Sequence, residues 1–544
     1  MRDSAVMLDA DIQLWMAAFQ DGHGRVPRIL HIGNIANNAY INSKILNRAG
    51  LVSDVLCYDY YHIMGCPEWE DSDFDAAIPD HYRPEWDTVD LKGFERPDWF
   101  AQGPLFHAVA YLIARRQGRS EDAKLLRGYL RVTPLKTRSR VRKFVLDAMP
   151  SGFRTFLQKC RGRLIRLRKQ WRTRWELDHS RPLGQGYPSI IDERNEAPDF
   201  DRRVNELCQE ADACFPGRSP ALEPDDLSHC RPFSNCLRDL CKEYDLVIGY
   251  STDGILPLIA GNVPYLAFEH GTIRNIPFED TPQGRMCAIT YRLANGTLIT
   301  NCDNQQAAKK LGLKNYRFVP HPINEDIPAG TEIADMRRAF LDSLGASFLV
   351  FHPSRQHWEE RRHPSWEKGN DIFIRGFARF VKEICPTAGA LFVDWGKTVN
   401  ESKQLLKELG VAERVRWIAP VPNQQMTRYI RACDLLADQF FLGAFGSTMP
   451  KALMLGIPAM LYLNEQMHRW CFDEMPPVLN TRTPDEVFGG LRQLYEEPGF
   501  ASTLSQRGAD WYRKYHSNQV IANRLIGAVR DVLPIASCAE KLTG

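Results

Sequence analysis

Residues 28–58 read RILHIGNIANNAYINSKILNRAGLVSDVLCY, and the fold is decided there. Arg28–Ile32 is a short apolar run of strand length that stops at Gly33-Asn34. Tyr40, Ile41, Ile45, Leu46 and Ala49 then recur at helical spacing, and Gly50 stands where a helix C′ glycine belongs. Val52–Tyr58 is a second strand-like run. Strand, helix and strand in this order predict a parallel βαβ unit with a right-handed crossover.

The same alternation returns further on. Strands are expected at Asp245–Gly249, Pro264–Phe268, Thr297–Thr300 and Arg317–Val319, with a linker near Asn324–Glu332. A second series follows at Phe348–His352, Ala390–Asp394, Arg414–Ile418, Asp434–Ala437 and Ala459–Leu463. The helices between them are marked by Ile372, Phe373, Phe377, Phe380 and Val381 on one face, and by Leu405, Leu406 and Leu409 on another. Thr483-Pro484-Asp485-Glu486 has the pattern of a capping box with proline at N1. Val520, Ile521, Leu525, Ala528, Val529 and Val532 make a last amphipathic helix. From about residue 65 to 240 the alternation lapses into a Trp-, Pro- and Asp-rich stretch, a basic segment and an acidic stretch. The expectation is an α/β protein of two Rossmann-like doubly wound domains facing a cleft, with a mainly helical insertion at about 66–240 in the first.

Composition narrows the class. A chain of 544 residues with 44% hydrophobic and 25% charged residues has enough apolar material for two or three cores, which excludes wholesale disorder. The start, MRDSAVMLDADIQLW, has early acids and no apolar run, so no secretory signal is expected, and no stretch nears the roughly 20 apolar residues of a membrane span. The 14 cysteines contain no C-x-x-C pair, and the Cys230, Cys236, Cys241 group fits no common zinc spacing. Reduced thiols, a cytoplasmic location and no metal are expected.

In doubly wound sheets ligands gather at the carboxyl ends of strands. Phe441–Leu455 (FLGAFGSTMPKALML) places Gly443, Gly446, Ser447 and Thr448 ahead of Pro450, a turn into a helix whose free N–H groups suit a phosphate. Phe351–Asp371 places Arg355 just past a strand and Lys368-Gly369 just before a helix, so both cations face the same strand-end cleft and suit a diphosphate. His352, His357 and His363 lie too loosely for a metal site and are expected mostly to pack or hydrogen-bond. His270 follows a strand, with Gly271, Thr272 and Arg274 in the turn beyond it.

These residues carry a resemblance. Arg355 with Lys368-Gly369-Asn370-Asp371 resembles the arginine and lysine-glycine pair of family-four retaining glycosyltransferases of the GT-B fold. Asp394-Trp395-Gly396, Arg414–Pro422 and the run from Phe445-Gly446 to Gly456-Ile457-Pro458 follow in that family's order, over about residues 317–533. Gly33 and Phe268–Thr272 match in the first half. The resemblance implies an acceptor-side domain at 1–330, a nucleotide-sugar-binding domain at 331–515, and a C-terminal helix at 516–544 packing back on the first. It implies a nucleotide-sugar donor held by Gly33, Asn34, Arg355, Lys368, Gly446, Ser447, Thr448 and Lys451, with His270 and Asp438 beside the transferring sugar. It further implies a glycan or lipid-linked acceptor, as in bacterial envelope polysaccharide assembly, and retention without metal or cofactor. The family's two glutamates, eight positions apart, are here Gly443 and Lys451, and the second normally binds the donor ribose. Two other readings follow from that departure: a catalytically lapsed scaffold of this fold, or a nucleotide-sugar epimerase that shares it.

Net charge is only +2, yet Lys124–Trp175 holds about 17 Lys and Arg against the single acid Asp147, leaving the remainder near −14. Phe156, Cys160, Leu164, Leu167, Trp171 and Trp175 line one helical face there, among Arg161, Arg163, Arg166, Arg168, Lys169 and Arg172. Such a basic amphipathic helix suits an anionic membrane surface; docking on the acidic body of the chain competes, and nucleic acid, for which no binding module is present, is not expected as a partner. On the membrane reading the protein co-sediments with anionic vesicles, and neutralising Arg161, Arg163, Arg166 and Arg168 releases it. Sedimentation unchanged by that substitution would leave packing against the chain itself.

Overall fold

The computed structural model of the chain describes residues 6–58, 60–130, 198–261, 263–327, 332–358 and 367–533. Arg161, Arg163, Arg166, Arg168, Lys169, Trp171 and Arg172 of the basic segment, together with His363, lie outside them.

Two wholly parallel sheets organise the chain. The first holds β1 (Arg28–Ile32), β2 (Val52–Tyr58), β3 (Phe100–Gly103), β4 (Leu246–Tyr250), β5 (Tyr265–Glu269), β6 (Gly296–Ile299) and β7 (Tyr316–Phe318), in the order β3-β2-β1-β4-β5-β6-β7. The second holds β8 (Phe348–His352), β9 (Ala388–Val393), β10 (Val415–Ile418), β11 (Leu435–Ala437), β12 (Ala459–Leu461) and β13 (Leu479–Asn480), in the order β10-β9-β8-β11-β12-β13. Each order reverses once, between β1 and β4 and between β8 and β11, so each sheet has one switch point where loops part to leave a crevice.

Strand side chains alternate between two cores, as a doubly covered sheet requires. Leu30 and Ile32 of β1 enter the core shared with helix Leu105–Arg116, whereas Ile29 enters the core shared with helices Ala10–His23 and Asn518–Val532. In the second sheet Val350 and Phe392 face helix Asn370–Glu383, and Leu349, Phe351 and Leu391 face the opposite core with Met449 and Leu453. The helix after β1 spans Asn38–Arg48 and stops before Gly50, at φ +93°. The capping box at Thr483 forms with both reciprocal hydrogen bonds.

The expected lapse in alternation is interrupted. β3 pairs with β2 along Val55↔Phe100 to Tyr58↔Gly103, and helix Leu105–Arg116 covers the sheet beside it. The four residues FAQG at a sheet edge carry no β-branched signal, and LFHAVAYLIARR is buried on nearly every side and so lacks the one-faced period of a surface helix.

The chain passes between halves twice, after β7 and again at His516-Ser517, and the crossings are fastened together. His516 Nε2 donates to the His321 carbonyl at 2.9 Å, and Glu325 accepts from the Tyr512 hydroxyl and the Asn518 N–H, both at 2.8 Å. Among the described residues no helix is long and apolar enough to cross a membrane.

The turn after β1 is strained and pinned. Ala36 and Asn37 sit at φ +51° and +55°, where side chains other than glycine's are uncommon. Asn34, 1% exposed, holds them: its amide donates to Asn37 Oδ1 at 3.0 Å and to the Gly65 carbonyl at 2.8 Å, and its oxygen accepts from the Tyr40 N–H at 3.0 Å. Asn34→Ala is expected to cost about 2–3 kcal/mol, because buried partners are left unsatisfied, and urea unfolding followed by fluorescence reads it. A change within about 0.5 kcal/mol would mean that the turn holds itself.

Candidate functional site

The site grows from the switch point of the second sheet. His352 ends β8 with both ring nitrogens engaged: Nδ1 donates to the Ala437 carbonyl at 2.8 Å, and Nε2 accepts from Asn370 Nδ2 at 2.9 Å. That pairing fixes a neutral imidazole, and burial pulls its pKa down to about 4. Asn370 also accepts the His357 N–H at 3.0 Å, and the Lys368 N–H donates to the His357 carbonyl at 2.8 Å. A packed histidine therefore positions the start of helix Asn370–Glu383 and the lysine before it. Two glycines complete the frame. Gly369 takes φ +67° at the helix N-cap, and Gly396 takes φ +134° after β9, where a Cβ would run into the Gln356 carbonyl.

Lys368 Nζ donates to Gln439 Oε1 at 2.7 Å, and the Gln439 amide donates onward to the Ala444 carbonyl of the glycine-rich turn. Burial draws Lys368 down to about 8; Asp438 opposes that shift, while Arg355 and Arg274 reinforce it. Arg355 lies over the Trp395 ring at 5.8 Å, its Nε buried without a hydrogen-bond partner among the described residues, and burial lowers its pKa too. Asp438, at the end of β11, accepts from the Ser354 hydroxyl at 2.7 Å; burial raises its pKa, with Ser354 and Lys368 pulling the other way. Among the described residues cations thus outnumber acids at the crevice, and part of their hydrogen-bonding capacity is unused.

The opposite wall comes from β5. His270 follows it directly, with Nδ1 3.4 Å from Thr272 Oγ1 and Nε2 buried without a partner among the described residues. Burial lowers its pKa to about 4, so the ring is neutral near pH 7. Gly271, at φ +117°, leaves room for Arg274, which grips Asp303 through Nε at 2.5 Å and Nη2 at 2.8 Å. Arg274 is close enough to be felt by Lys368, so the two halves face each other here.

The remaining predicted residues divide. Gly446 has open space where a Cβ would stand, and Ser447 and Thr448 lie exposed and half-buried at the rim of the turn. Gly33 and Asn34 stand at the switch point of the first sheet, but the Gly33 N–H donates to the Leu56 carbonyl at 2.9 Å and the Asn34 amide is fully used internally. Lys451 is buried and donates to Asn423 Oδ1 at 2.7 Å, beside Glu70 of the first half. Gly443 takes φ +81°, and a Cβ there would lie 2.8 Å from Tyr462 and 2.9 Å from Asn464. A glutamate therefore has no room at the first motif position, and the second is committed to the junction between halves. Ser354, Gln439 and Asp303 were not singled out in the sequence; each contributes by what it touches, and none sits in a motif of its own.

No protein-family model and no curated protein matches the sequence. Among solved structures the chain is similar to HepE of Anabaena, in complex with UDP and glucose, at 15% identity and TM-score 0.46, covering 63% of this chain and 98% of that one. It is similar to WaaG, a glycosyltransferase involved in lipopolysaccharide biosynthesis, at 13% identity and TM-score 0.39, covering 62% and 96%. It is also similar to the S. aureus MnaA–UDP structure, at 8% identity and TM-score 0.40, covering 94% and 99%. Likenesses this distant assign no residue role and no substrate. The paired parallel sheets are by themselves the two-domain α/β architecture expected of a GT-B protein.

The two glycines of the loop separate strain from open space. Gly443→Ala is expected to destabilise by about 1–3 kcal/mol and Gly446→Ala by well under about 1 kcal/mol, read from paired denaturation curves. Equal costs would mean that the turn repacks around either side chain.

Proposed function

We propose that this protein is a glycosyltransferase that moves a sugar from a nucleotide-sugar donor to a glycan or lipid-linked acceptor. The observation that carries the reading is the pair Arg355 and Lys368. Two cations, incompletely neutralised among the described residues, stand together at the crevice of a doubly wound sheet, one with a buried donor that lacks an acceptor among those residues. A buried donor left unmet costs free energy, and a diphosphate oxygen would meet it. As the bond to the sugar breaks, charge grows on the departing nucleoside diphosphate, and cations already in place stabilise that charge without reorganising.

His270, neutral and with Nε2 unpartnered among the described residues, faces this site from the other half, where it can hydrogen-bond a sugar hydroxyl. Asp438 stands beside Lys368 and suits a contact to the donor sugar. The two cations supply the leaving-group charge stabilisation, so the chemistry proposed needs no metal, and the resemblance of the motif supports retention. An envelope polysaccharide acceptor and a cytoplasmic place at the inner face of the membrane complete the reading; the basic segment supports the latter.

A second reading has a specific observation behind it. Gly443 is sterically closed to glutamate and Lys451 is bonded to Asn423, so the motif's usual donor contacts are gone. A scaffold of the same fold would bind a nucleotide without transferring its sugar.

Calorimetry with UDP, GDP, CDP and their sugars tests both. One nucleotide should bind, and Lys368→Ala should weaken it about 10- to 100-fold, the worth of a charge-assisted contact. Lys368 carries its charge below its lowered pKa of about 8, so affinity should fall as pH rises through that value, and Lys368→Arg, which stays charged, should flatten the fall. No binding to any of the panel would sink the donor-site reading; binding without turnover across acceptors would favour the scaffold.

A further inference from the structure

Residues 62–91 form a small body with its own core of Ile63, Cys66, Trp69, Phe74, Ile78 and Trp86. Its root is fixed to the first half. Asn34 and Asn37 donate to the carbonyls of Gly65 and Cys66 at 2.8 and 3.0 Å, Arg96 grips Glu68 at 2.5 and 2.9 Å, and Lys44 pairs with Asp71 at 2.9 Å. Its front reaches the second half instead. Arg428 donates two hydrogen bonds to the Asp73 carboxylate, at 2.6 and 3.1 Å, with side chains only 15% and 27% exposed. Gln425 Nε2 donates to the Phe74 carbonyl and to Asp75 Oδ1, both at 2.7 Å, and Asn423 donates to Glu70. A second contact falls on the loop after β9, where the His81 ring meets Trp395 edge-on at 6.3 Å, and Trp395 lies under Arg355.

These contacts share a place. Asn423, Gln425 and Arg428 belong to helix Asn423–Ala432, which follows β10, and Trp395 follows β9. Both loops rise at the carboxyl ends of the second sheet, on the side of β8 away from β11, and the nearer one reaches the crevice through Trp395 beneath Arg355. The body thus bridges from the first half over the rim of the crevice that holds Arg355 and Lys368. Its front seam is an ion pair, two amide bridges and a ring contact, while its root adds to its ion pairs the chain connection itself and buried side-chain-to-carbonyl hydrogen bonds, with Glu68 more deeply enclosed than Asp73. A seam of that kind separates at lower cost than the root, as interfaces between moving domains do.

We infer that residues 62–91 are a clasp that fastens the two halves over the crevice, and that rupture of the Asp73–Arg428 seam gates entry and release of the nucleotide. The inference rests on the donor-site reading for the identity of what is gated, and on the seam alone for the motion.

Arg428→Gln and Asp73→Asn each break the ion pair of the seam without touching the crevice cations. Hydrogen exchange of residues 70–82 and 423–428 is expected to quicken in both variants, with β8 unchanged. Stopped-flow binding of N-methylanthraniloyl UDP and GDP is expected to show association and dissociation rising together about five- to tenfold, with Kd moving less than about threefold. Arg428→Lys, which keeps the charge beside Asp73, should keep slow exchange and slow release. Unchanged exchange and unchanged rates would overturn the clasp and leave the donor-site reading standing. Failure of wild type to bind UDP, GDP, CDP or any of their sugars would overturn the donor-site reading and the gating role with it.

Discussion

Parallel strands cannot be joined by a tight turn, and that constraint governs the rest of the molecule. Each crossover must leave the carboxyl end of one strand, pass over the sheet and return to the amino end of the next. Every loop that leaves a strand therefore collects on one edge, and where the strand order reverses, those loops part. The crevice between β8 and β11 is a by-product of topology before it is a site of chemistry. The sequence needs only to place chemically useful residues within a few positions of strand ends, as it does at Ser354-Arg355, Trp395-Gly396 and Asp438-Gln439.

What distinguishes this crevice is how it treats charge. Several buried ions elsewhere meet matched partners, Arg285 with Asp226 and Arg96 with Glu68 among them. At the second switch point the balance fails among the described residues, with Arg355 lacking an acid and Lys368 meeting a neutral amide. Desolvation without full pairing is a cost to stability, and it persists where the surrounding frame is rigid enough to impose it. The His352–Asn370 network and the two left-handed glycines are that frame.

Much of this was legible in the sequence, for identifiable reasons. Strands such as RILHI and FLVFH announce themselves by apolar runs punctuated at once by glycine, proline or asparagine, and most observed strands lie within a residue or two of expectation. β3 was hidden because an edge strand of four residues has neither length nor β-branched composition. Arg355 and Lys368 were legible because one follows a strand and the other opens a helix, in the order of the arginine and lysine-glycine pair they resemble. Their supports were not: Gln439 is recognisable only from what lies near it in space, 71 positions from Lys368. Asn34 illustrates the converse, a residue in the right turn whose side chain faces inward and serves the fold.

The path of the chain has a consequence for how the protein is made. Helix Asn518–Val532 completes the same core as helix Ala10–His23, and the two ends touch, Asn523 bonding Asp9 and Arg530 reaching Asp11. The whole second half is thus spliced between the seventh strand of the first half and its last helix. On the ribosome, the first half emerges with the face of its core that helix Asn518–Val532 covers, beside helices Ala10–His23 and Asn38–Arg48, still open. That face stays exposed until the complete second half has followed, so the earlier unit to begin is the later one to finish, and synthesis carries an adhesive surface throughout.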